Sequence, residues 1–242
     1  MIDRELTIPT SHGSMQAFVT HPEEGGPHPV VFFYMDAPGK REELHDMARR
    51  LGTAGYYVVL PNLYYRSVPA YNVFSGDPDH RPELMWELMA SLTDDLVVAD
   101  TRSMVDHVDN DPAADATRVG CVGYCMGGPF AFAAACALPG RVRAAASVHG
   151  VRLFGPGSPA DRAPQARAEL YFAFAEFDEY VPDGMADDLE RYLVAIGADA
   201  RVERYPGTHH GFVFPDRGPH YDKASAERHW ERLYALFART LA

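Results

Sequence analysis

The sequence predicts an α/β protein with a mostly parallel central sheet and helices on both faces. Apolar runs such as 30–35 and 56–60 have the length and composition of strands that are buried on both faces. Segments with apolar residues at helical spacing, such as 44–51, alternate with these runs. Strands that alternate with amphipathic helices are typical of a parallel sheet with crossover helices.

The predicted elements follow in chain order. Two short runs, 6–8 and 15–20, flank turn-type residues and predict an antiparallel hairpin at the N-terminus. Further strands are predicted at 30–35, 56–60, 118–122, 143–148, 169–175 and 200–205. Helices are predicted at 44–51, in two pieces between 83 and 108 that meet near 91–93, and directly after 128. A further helix is predicted with Pro182 in its first turn and Gly197 at its end, and a last one around 230–237. The long loops 61–81 and 206–219 follow strands and are expected to lie beside a pocket.

Length and charge limit the possible classes of protein. A chain of 242 residues with 47% hydrophobic content fits one domain, residues 1–242, with a substantial core. Lys and Arg total 22 against 34 Asp and Glu, which gives a formal net charge of −12. That balance argues against a nucleic-acid partner or an anionic membrane surface.

Targeting features and cysteine usage indicate the compartment. The first ten residues lack the apolar core of a signal peptide, and the longest apolar run, 130–138, is far shorter than the ~20 residues that span a bilayer. Three cysteines without framework spacing suit a reducing environment. We therefore expect a cytoplasmic protein that is a monomer or a weak homo-oligomer, with Cys121 and Cys136 in the core.

The motif Gly-Tyr-Cys-Met-Gly-Gly at 123–128 follows a predicted strand and precedes an Ala/Phe-rich helical segment. A nucleophile between small residues at a strand-to-helix turn is typical of the elbow of the α/β-hydrolase fold. The motif thus predicts that fold, with Cys125 as the nucleophile over the N-terminus of a helix, whose dipole favours a thiolate. The alternative is a Gly-rich turn with an inert thiol.

An elbow of this kind requires a carboxylate and then a histidine on loops after later strands. Asp178 follows the predicted strand 169–175, and His210 follows the last strand, 200–205. The carboxylate would orient the imidazole, and the imidazole would take the proton of the thiol. From the residues alone, Glu176 or Glu179 could replace Asp178, and His209 could replace His210. The His pair has no companions at metal-ligand spacing, so no metal site is expected.

Four segments together resemble the dienelactone hydrolases, which are cysteine members of the α/β-hydrolase fold. They are Gly-Tyr-Cys-Met-Gly-Gly at 123–128, Phe-Asp-Glu-Tyr-Val-Pro at 177–182, Leu-Tyr-Tyr-Arg at 63–66 and His-Gly-Phe at 210–212. The resemblance covers nearly the whole chain. It implies Cys125 as nucleophile, His210 as base and Asp178 as the orienting acid, without a cofactor. It also implies an oxyanion hole from the backbone N–H groups of Ala37 and Met126, which the elbow rule predicts independently.

The sequence departs from the family at two places. The resemblance implies a glutamate that contacts the resting thiol, whereas this chain has the shorter Asp36, which we expect to modulate the thiol. It also implies two arginines that bind a substrate carboxylate. Arg81 matches the first loosely, while Phe214 stands near the expected place of the second and Arg217 lies further along.

Aromatic residues complete the predicted pocket, with Tyr64 and Trp86 as its expected substrate-binding surfaces together with Arg81 and Phe214. The expected function is hydrolysis of a small lactone or another small activated ester through a thioester at Cys125. The alternatives are a broader esterase or thioesterase, a catalytically silent binding or sensor protein of the same fold, and a redox role for Cys125.

Overall fold

The computed structural model describes residues 1–242 and contains one eight-stranded sheet. In chain order the strands are β1 Ile2–Thr10, β2 Gly13–His21, β3 His28–Tyr34, β4 Tyr57–Pro61, β5 Ala114–Tyr124, β6 Val142–Val148, β7 Glu169–Phe177 and β8 Ala200–His209. Their spatial order is β1, β2, β4, β3, β5, β6, β7, β8. The β1–β2 hairpin and the β2–β4 pair are antiparallel, and every other neighbouring pair is parallel. The predicted parallel sheet and N-terminal hairpin are confirmed.

Six α-helices connect or flank the strands: α1 Glu42–Thr53, α2 Pro82–Ala90, α3 Asp94–Val108, α4 Gly127–Ala137, α5 Met185–Ala195 and α6 Lys223–Thr240. Three 3-10 segments lie in the longer loops, at Pro78–His80, Pro159–Gln165 and Pro215–His220. The break between α2 and α3 at 91–93 confirms the predicted two-piece helix. None of the helices combines the length and the apolar character needed to cross a bilayer.

Several predicted boundaries differ from those in the structure, and two of the differences lie next to the loops that follow β7 and β8. α5 begins at Met185, and Pro182 lies in the preceding turn rather than in the helix. The cause is Gly184, whose φ of 80° is left-handed and cannot continue a right-handed helix towards the proline. β8 extends to His209, four residues beyond the predicted end, and carries Pro206 and Gly207 at the exposed edge of the sheet.

The sheet brings five loops to one edge. β3, β5, β6, β7 and β8 are mutually parallel, so their carboxyl ends meet there. The residues that directly follow these strands, or follow within two positions, are Asp36, Cys125, His149, Asp178 and His210. The central strands are buried on both faces, which holds the starting points of these loops in fixed positions.

Candidate active site

Cys125 lies on a tight turn between β5 and α4. Its φ of 53° falls in the left-handed region, which is unusual for a residue with a side chain. The turn is possible because Gly123 and Gly127 approach each other so closely that a Cβ on Gly123 would collide with the carbonyl of Gly127. The Cys125 N–H donates to the carbonyl of Val148 at 3.1 Å, which fixes the turn against β6. The structure therefore has the elbow that the sequence predicts, with a partly exposed thiol at its apex.

His210 and Asp178 form a hydrogen-bonded pair on neighbouring loops. The His210 Nδ1 lies 2.8 Å from Asp178 Oδ2, and both side chains are largely buried. His210 Nε2 has no partner within the protein, and the ring lines the same cavity as Cys125. This leaves Nε2 free to exchange a proton with the sulfur or with a substrate.

Two of the three alternatives left open by the sequence, Glu176 and His209, have other contacts. Glu176 accepts a hydrogen bond from the backbone N–H of Gly207 at 2.6 Å. The ring of His209 stacks on that of His220 with centroids 5.4 Å apart, outside the cavity that contains Cys125. The geometry thus brings together Cys125, His210 and Asp178.

The surroundings of His210 favour its protonated form. Burial of the ring acts to lower the pKa of His210, but the hydrogen bond to Asp178 and the adjacent Cys125 sulfur raise this pKa to about 10. The imidazole therefore carries a proton near neutral pH.

Two backbone donors in the cavity wall lack partners. The N–H groups of Ala37, after β3, and of Met126, after Cys125, donate to no other group of the protein. The Tyr64 hydroxyl lies 2.9 Å from the Ala37 carbonyl and 3.3 Å from Met126 Sδ, so it connects both segments from behind. Tyr64 is buried and does not line the cavity, and burial raises the pKa of its hydroxyl, which keeps it a donor. Unpartnered donors of this kind can bind an oxyanion.

Asp36 is bound by two arginines. Arg41 donates to both carboxylate oxygens, at 2.5 and 3.2 Å, and Arg217 donates to Oδ2 at 2.9 Å. Arg41 also donates to Asp216 at 2.6 Å. Asp36 is fully buried, so this network of two acids and two arginines compensates its charge.

The cavity at Cys125 measures about 570 Å³, which suits a small-molecule ligand. Trp86 and Arg217 line it. Arg81 does not; it precedes α2, and its carbonyl accepts a hydrogen bond from Tyr71. Phe214 is fully buried against Tyr124 and also stays outside the wall. A larger cleft of about 790 Å³ lies on the other side of His210, but it includes neither Cys125 nor the two free N–H groups.

Sequence reasoning missed three residues near the site. Arg152 lines the cavity with a φ of 51°, and nothing in its local sequence marks a left-handed arginine. Arg41 follows Asp36 by five positions, a spacing that could have suggested an ion pair. His149 is fully buried with a φ of 39°, neither ring nitrogen has a partner, and its ring meets that of His210 edge to face at 4.7 Å. Burial and the neighbouring His210 hold the pKa of His149 well below its usual range.

The other two cysteines are buried, as predicted. Burial raises the pKa of the Cys121 thiol to about 12, and it does the same for Cys136. Both therefore stay protonated near neutral pH and lie away from solvent.

A parallel sheet with a strand-to-helix elbow, followed in chain order by an acid and a histidine at the same edge, defines an α/β-hydrolase. Comparison with known proteins narrows the class. The profile described as "Dienelactone hydrolase family" matches residues 15–241, and the chain belongs to that family.

Individual relatives span almost the whole chain. A curated protein of Escherichia coli K12 named "Putative carboxymethylenebutenolidase" is 30% identical over 243 residues, covering 96% of this chain and 84% of that protein. One of the same name from Synechocystis sp. is 25% identical over 241 residues, covering 98% and 96%. A crystal structure described as "Putative Dienelactone Hydrolase" from Klebsiella pneumoniae superposes with a TM-score of 0.87 at 28% identity, covering 98% of each chain. The protein is thus a hydrolase of the dienelactone hydrolase type that acts on a small molecule.

Proposed function

We propose that the protein hydrolyses small lactones or other small activated esters through a thioester at Cys125. In this mechanism Cys125 is the nucleophile, His210 the general acid and base, and Asp178 the group that orients His210. The backbone N–H groups of Ala37 and Met126 supply the oxyanion hole. Asp36 binds Arg217 and so changes the net charge beside Cys125 before substrate binds. No cofactor takes part.

The first half-reaction forms the acyl-enzyme. The Cys125 thiolate attacks the ester carbonyl, and the carbonyl oxygen becomes an oxyanion between the N–H groups of Ala37 and Met126. When the C–O bond breaks, the His210 imidazolium gives its Nε2 proton to the leaving alkoxide. In a lactone the alkoxide stays on the same molecule, so ring opening leaves a hydroxyacyl thioester. One oxyanion donor contributes about 10²–10³ in kcat in comparable sites.

The second half-reaction releases the acid. Once the sulfur is acylated it carries no charge, so the part of the raised pKa of His210 that comes from Cys125 disappears and the part that comes from Asp178 remains. The neutral imidazole then takes a proton from water, and the hydroxide attacks the thioester carbonyl. Cleavage of the C–S bond returns the thiolate, and Nε2 keeps the proton for the next cycle. Asp178 remains ionised and holds the Nδ1–H throughout.

The observation that supports this proposal best is the convergence of unpartnered groups in one cavity. Cys125, His210, Ala37 and Met126 line a space of about 570 Å³, and the thiol, His210 Nε2 and the two backbone N–H groups have no hydrogen-bond partner in the protein. Buried donors and acceptors are ordinarily satisfied within the protein, so four groups left open together indicate a bound reactant.

The test is a substrate panel on wild type and on Cys125→Ala. The panel contains p-nitrophenyl esters, simple lactones and dienelactones. We expect wild type to hydrolyse members of the panel and Cys125→Ala to lose at least ~10³-fold in kcat/KM, the scale for loss of a nucleophile. A wild-type protein that is inert to the panel and to iodoacetamide would instead be a silent binding protein. Equal rates in both proteins would reject Cys125 as nucleophile.

A further inference from the structure

One part of the cavity wall is continuous and apolar. The α2 helix presents two methionines and a tryptophan to the cavity, and residues from the α2–α3 break, from α4 and from the loop after β6 extend the same surface. These residues are Met85, Trp86, Met89, Ala90, Leu92, Phe130 and Val151. Such a surface offers dispersion contacts and excludes water from an apolar ligand, but it offers no hydrogen bond to a charged one.

The two cations in the wall already have anionic neighbours. Arg217 donates to Asp36, whose other oxygen binds Arg41. Arg152 lies 3.9 Å from Asp94, and 58% of its side chain is exposed to solvent. An exposed and already paired cation binds an additional anion only weakly.

A substrate carboxylate that enters this cavity would therefore lose its hydration without gaining a fully available cation in exchange. Arg217 donates only one N–H to Asp36 and its Nε has no partner, so an incoming carboxylate would share this cation with the buried Asp36, which has no other cation than Arg41. A buried charge that loses part of its pairing is strongly destabilised. An apolar group has no such requirement and gains from the wall of α2.

We infer that the substrates are neutral esters or lactones that carry an apolar arm of several carbons, and that Met85, Met89 and Leu92 bind this arm. This inference rests on the proposed function and specifies the substrate class of the same site. Full burial of a methylene is worth about fourfold in affinity, the equivalent of ~0.8 kcal/mol. With partial burial we expect kcat/KM to rise at least ~10-fold from an acetate to a hexanoate.

The first experiment measures kcat/KM in two homologous series. The p-nitrophenyl esters from acetate to octanoate lengthen the acyl side, and alkyl acetates from ethyl to octyl, followed in a pH-stat, lengthen the alcohol side. A rise in one series supports the inference and shows which side of the ester the arm occupies. A flat dependence in both series would overturn it.

Variants on α2 localise the effect. Met89→Gln keeps the shape of the side chain and adds polarity, so it should reduce the hexanoate-to-acetate ratio of kcat/KM at least ~3-fold. Met85→Gln should act in the same direction. Glu87→Gln lies on the same helix, is exposed and does not line the cavity, so its ratio should equal that of wild type. An unchanged ratio in both methionine variants would place the arm elsewhere and overturn the assignment.

An acid-terminated substrate tests the charge argument. The p-nitrophenyl monoester of adipic acid matches the hexanoate in length and ends in a carboxylate. The hexanoate should be preferred at least ~10-fold in kcat/KM, because the carboxylate would face Met85, Met89 and Leu92, whose side chains offer no hydrogen-bond donor. Equal or better hydrolysis of the acid would overturn the inference and assign Arg152 or Arg217 to substrate binding.

Binding without turnover separates this inference from the proposed function. Trp86 is 49% exposed in the cavity wall, whereas Trp230, the other tryptophan, is buried on α6. In Cys125→Ala, 2-octanone should change the tryptophan fluorescence with a lower Kd than 2-butanone, and Trp86→Phe in that background should abolish the change. Selective ketone binding in a protein whose wild type hydrolyses no ester would leave the subsite standing and reject the proposed reaction. Ester hydrolysis with no selectivity between the ketones would support the proposed reaction and overturn the apolar subsite.

Discussion

Arg217 donates a hydrogen bond to Asp36 at 2.9 Å, although the two residues are separated by 181 positions in the chain. Arg41 binds the same carboxylate from the other side. The Asp36 charge is thus bound by two guanidinium groups beside the Cys125 cavity. A change at Asp36 therefore acts on the cavity through the arginine that it leaves unpaired.

Asp36→Ala is expected to raise the rate of iodoacetamide alkylation of Cys125 at neutral pH. The substitution removes a negative charge and leaves Arg217 without its anion, and both changes favour a thiolate. The variant should also lose about 3–5 kcal/mol in free energy of unfolding, because Arg41 and Arg217 would remain partly unpaired. Rates are measured by mass spectrometry and stability by urea unfolding.

Asp216→Asn is the matched control for this experiment. It removes the other carboxylate bound to Arg41 but leaves the Arg217–Asp36 contact in place. Its alkylation rate should stay closer to that of wild type. Slower or unchanged alkylation in Asp36→Ala would show that Asp36 does not act on the thiol as proposed.

His210→Ala is expected to lower ester hydrolysis by at least ~10²-fold, the scale of general acid–base catalysis. His209→Ala should change it far less, because the His209 ring stacks on His220 outside the Cys125 cavity. Both variants are assayed by kcat/KM, with circular dichroism as the check on folding. Equal losses in two folded variants would reject His210 as the base.

His210→Gln should also slow alkylation of Cys125 at pH 7 by at least ~10-fold. The pKa of His210, raised to about 10, keeps the imidazole protonated at neutral pH and so favours the thiolate partner. Without the imidazolium, the rate should rise with pH as it does for an ordinary thiol, whose pKa is about 8.5. Superimposable pH–rate profiles of wild type and variant would contradict the proposed ion pair.

His149 is expected to position His210 by ring contact rather than by proton transfer. His149→Phe keeps an aromatic ring against His210, so kcat/KM should stay within about threefold of wild type. The same change removes two unpartnered buried nitrogens, so the free energy of unfolding should rise. His149→Asn suits the left-handed backbone but lacks the ring, so it should lose at least ~10-fold in kcat with little change in KM. A His149→Phe variant as impaired as His149→Asn would show that the imidazole itself is required.

His229 is expected to make stability fall in mild acid. Burial lowers the pKa of His229 to about 3, and the ring lies between the Tyr124 hydroxyl at 2.9 Å and the Ala226 carbonyl at 3.1 Å. Between pH 6.5 and 3 the unfolded state therefore binds a proton that the folded state does not, so stability decreases as pH falls through that window. The contribution is about 2 kcal/mol between pH 6.5 and 5, at ~1.4 kcal/mol per pH unit.

Urea unfolding at pH 7 and pH 5 measures this contribution. The free-energy difference between wild type and His229→Gln should shrink by about 2 kcal/mol at the lower pH, because glutamine does not titrate. His12→Gln, at an exposed position in the N-terminal hairpin, is the control for the removal of a histidine from the surface. A difference that is the same at both pH values would mean that His229 binds protons equally in the folded and unfolded states.

The sequence predicts the sheet and the elbow because both depend on local patterns. A buried strand needs a continuous apolar run, and the turn at Cys125 needs small residues at Gly123 and Gly127, which can be read within six positions. The chain order of Asp178 and His210 follows from the same rule. These features require no knowledge of distant contacts.

The environment of Asp36 could not be predicted in this way. Its partner Arg217 comes from the 3-10 segment after β8, and no sequence pattern fixes how that segment folds back on the loop after β3. The burial of Phe214 has the same cause, since the packing against Tyr124 decides which way the ring points. Boundary errors arise more locally: α5 begins after Gly184, later than the proline suggested, because only the backbone reveals the positive φ of that glycine.

Direct detection of the acyl-enzyme tests the central claim. Wild type is mixed with p-nitrophenyl hexanoate, quenched in acid within one turnover, digested and analysed by mass spectrometry. We predict one hexanoyl group on the peptide that contains Cys125, with increased amounts in His210→Ala at times when deacylation is slow, and none on Cys136, whose thiol is buried. Hydrolysis without any acyl group on Cys125, or undiminished hydrolysis by Cys125→Ala, would contradict the thioester mechanism.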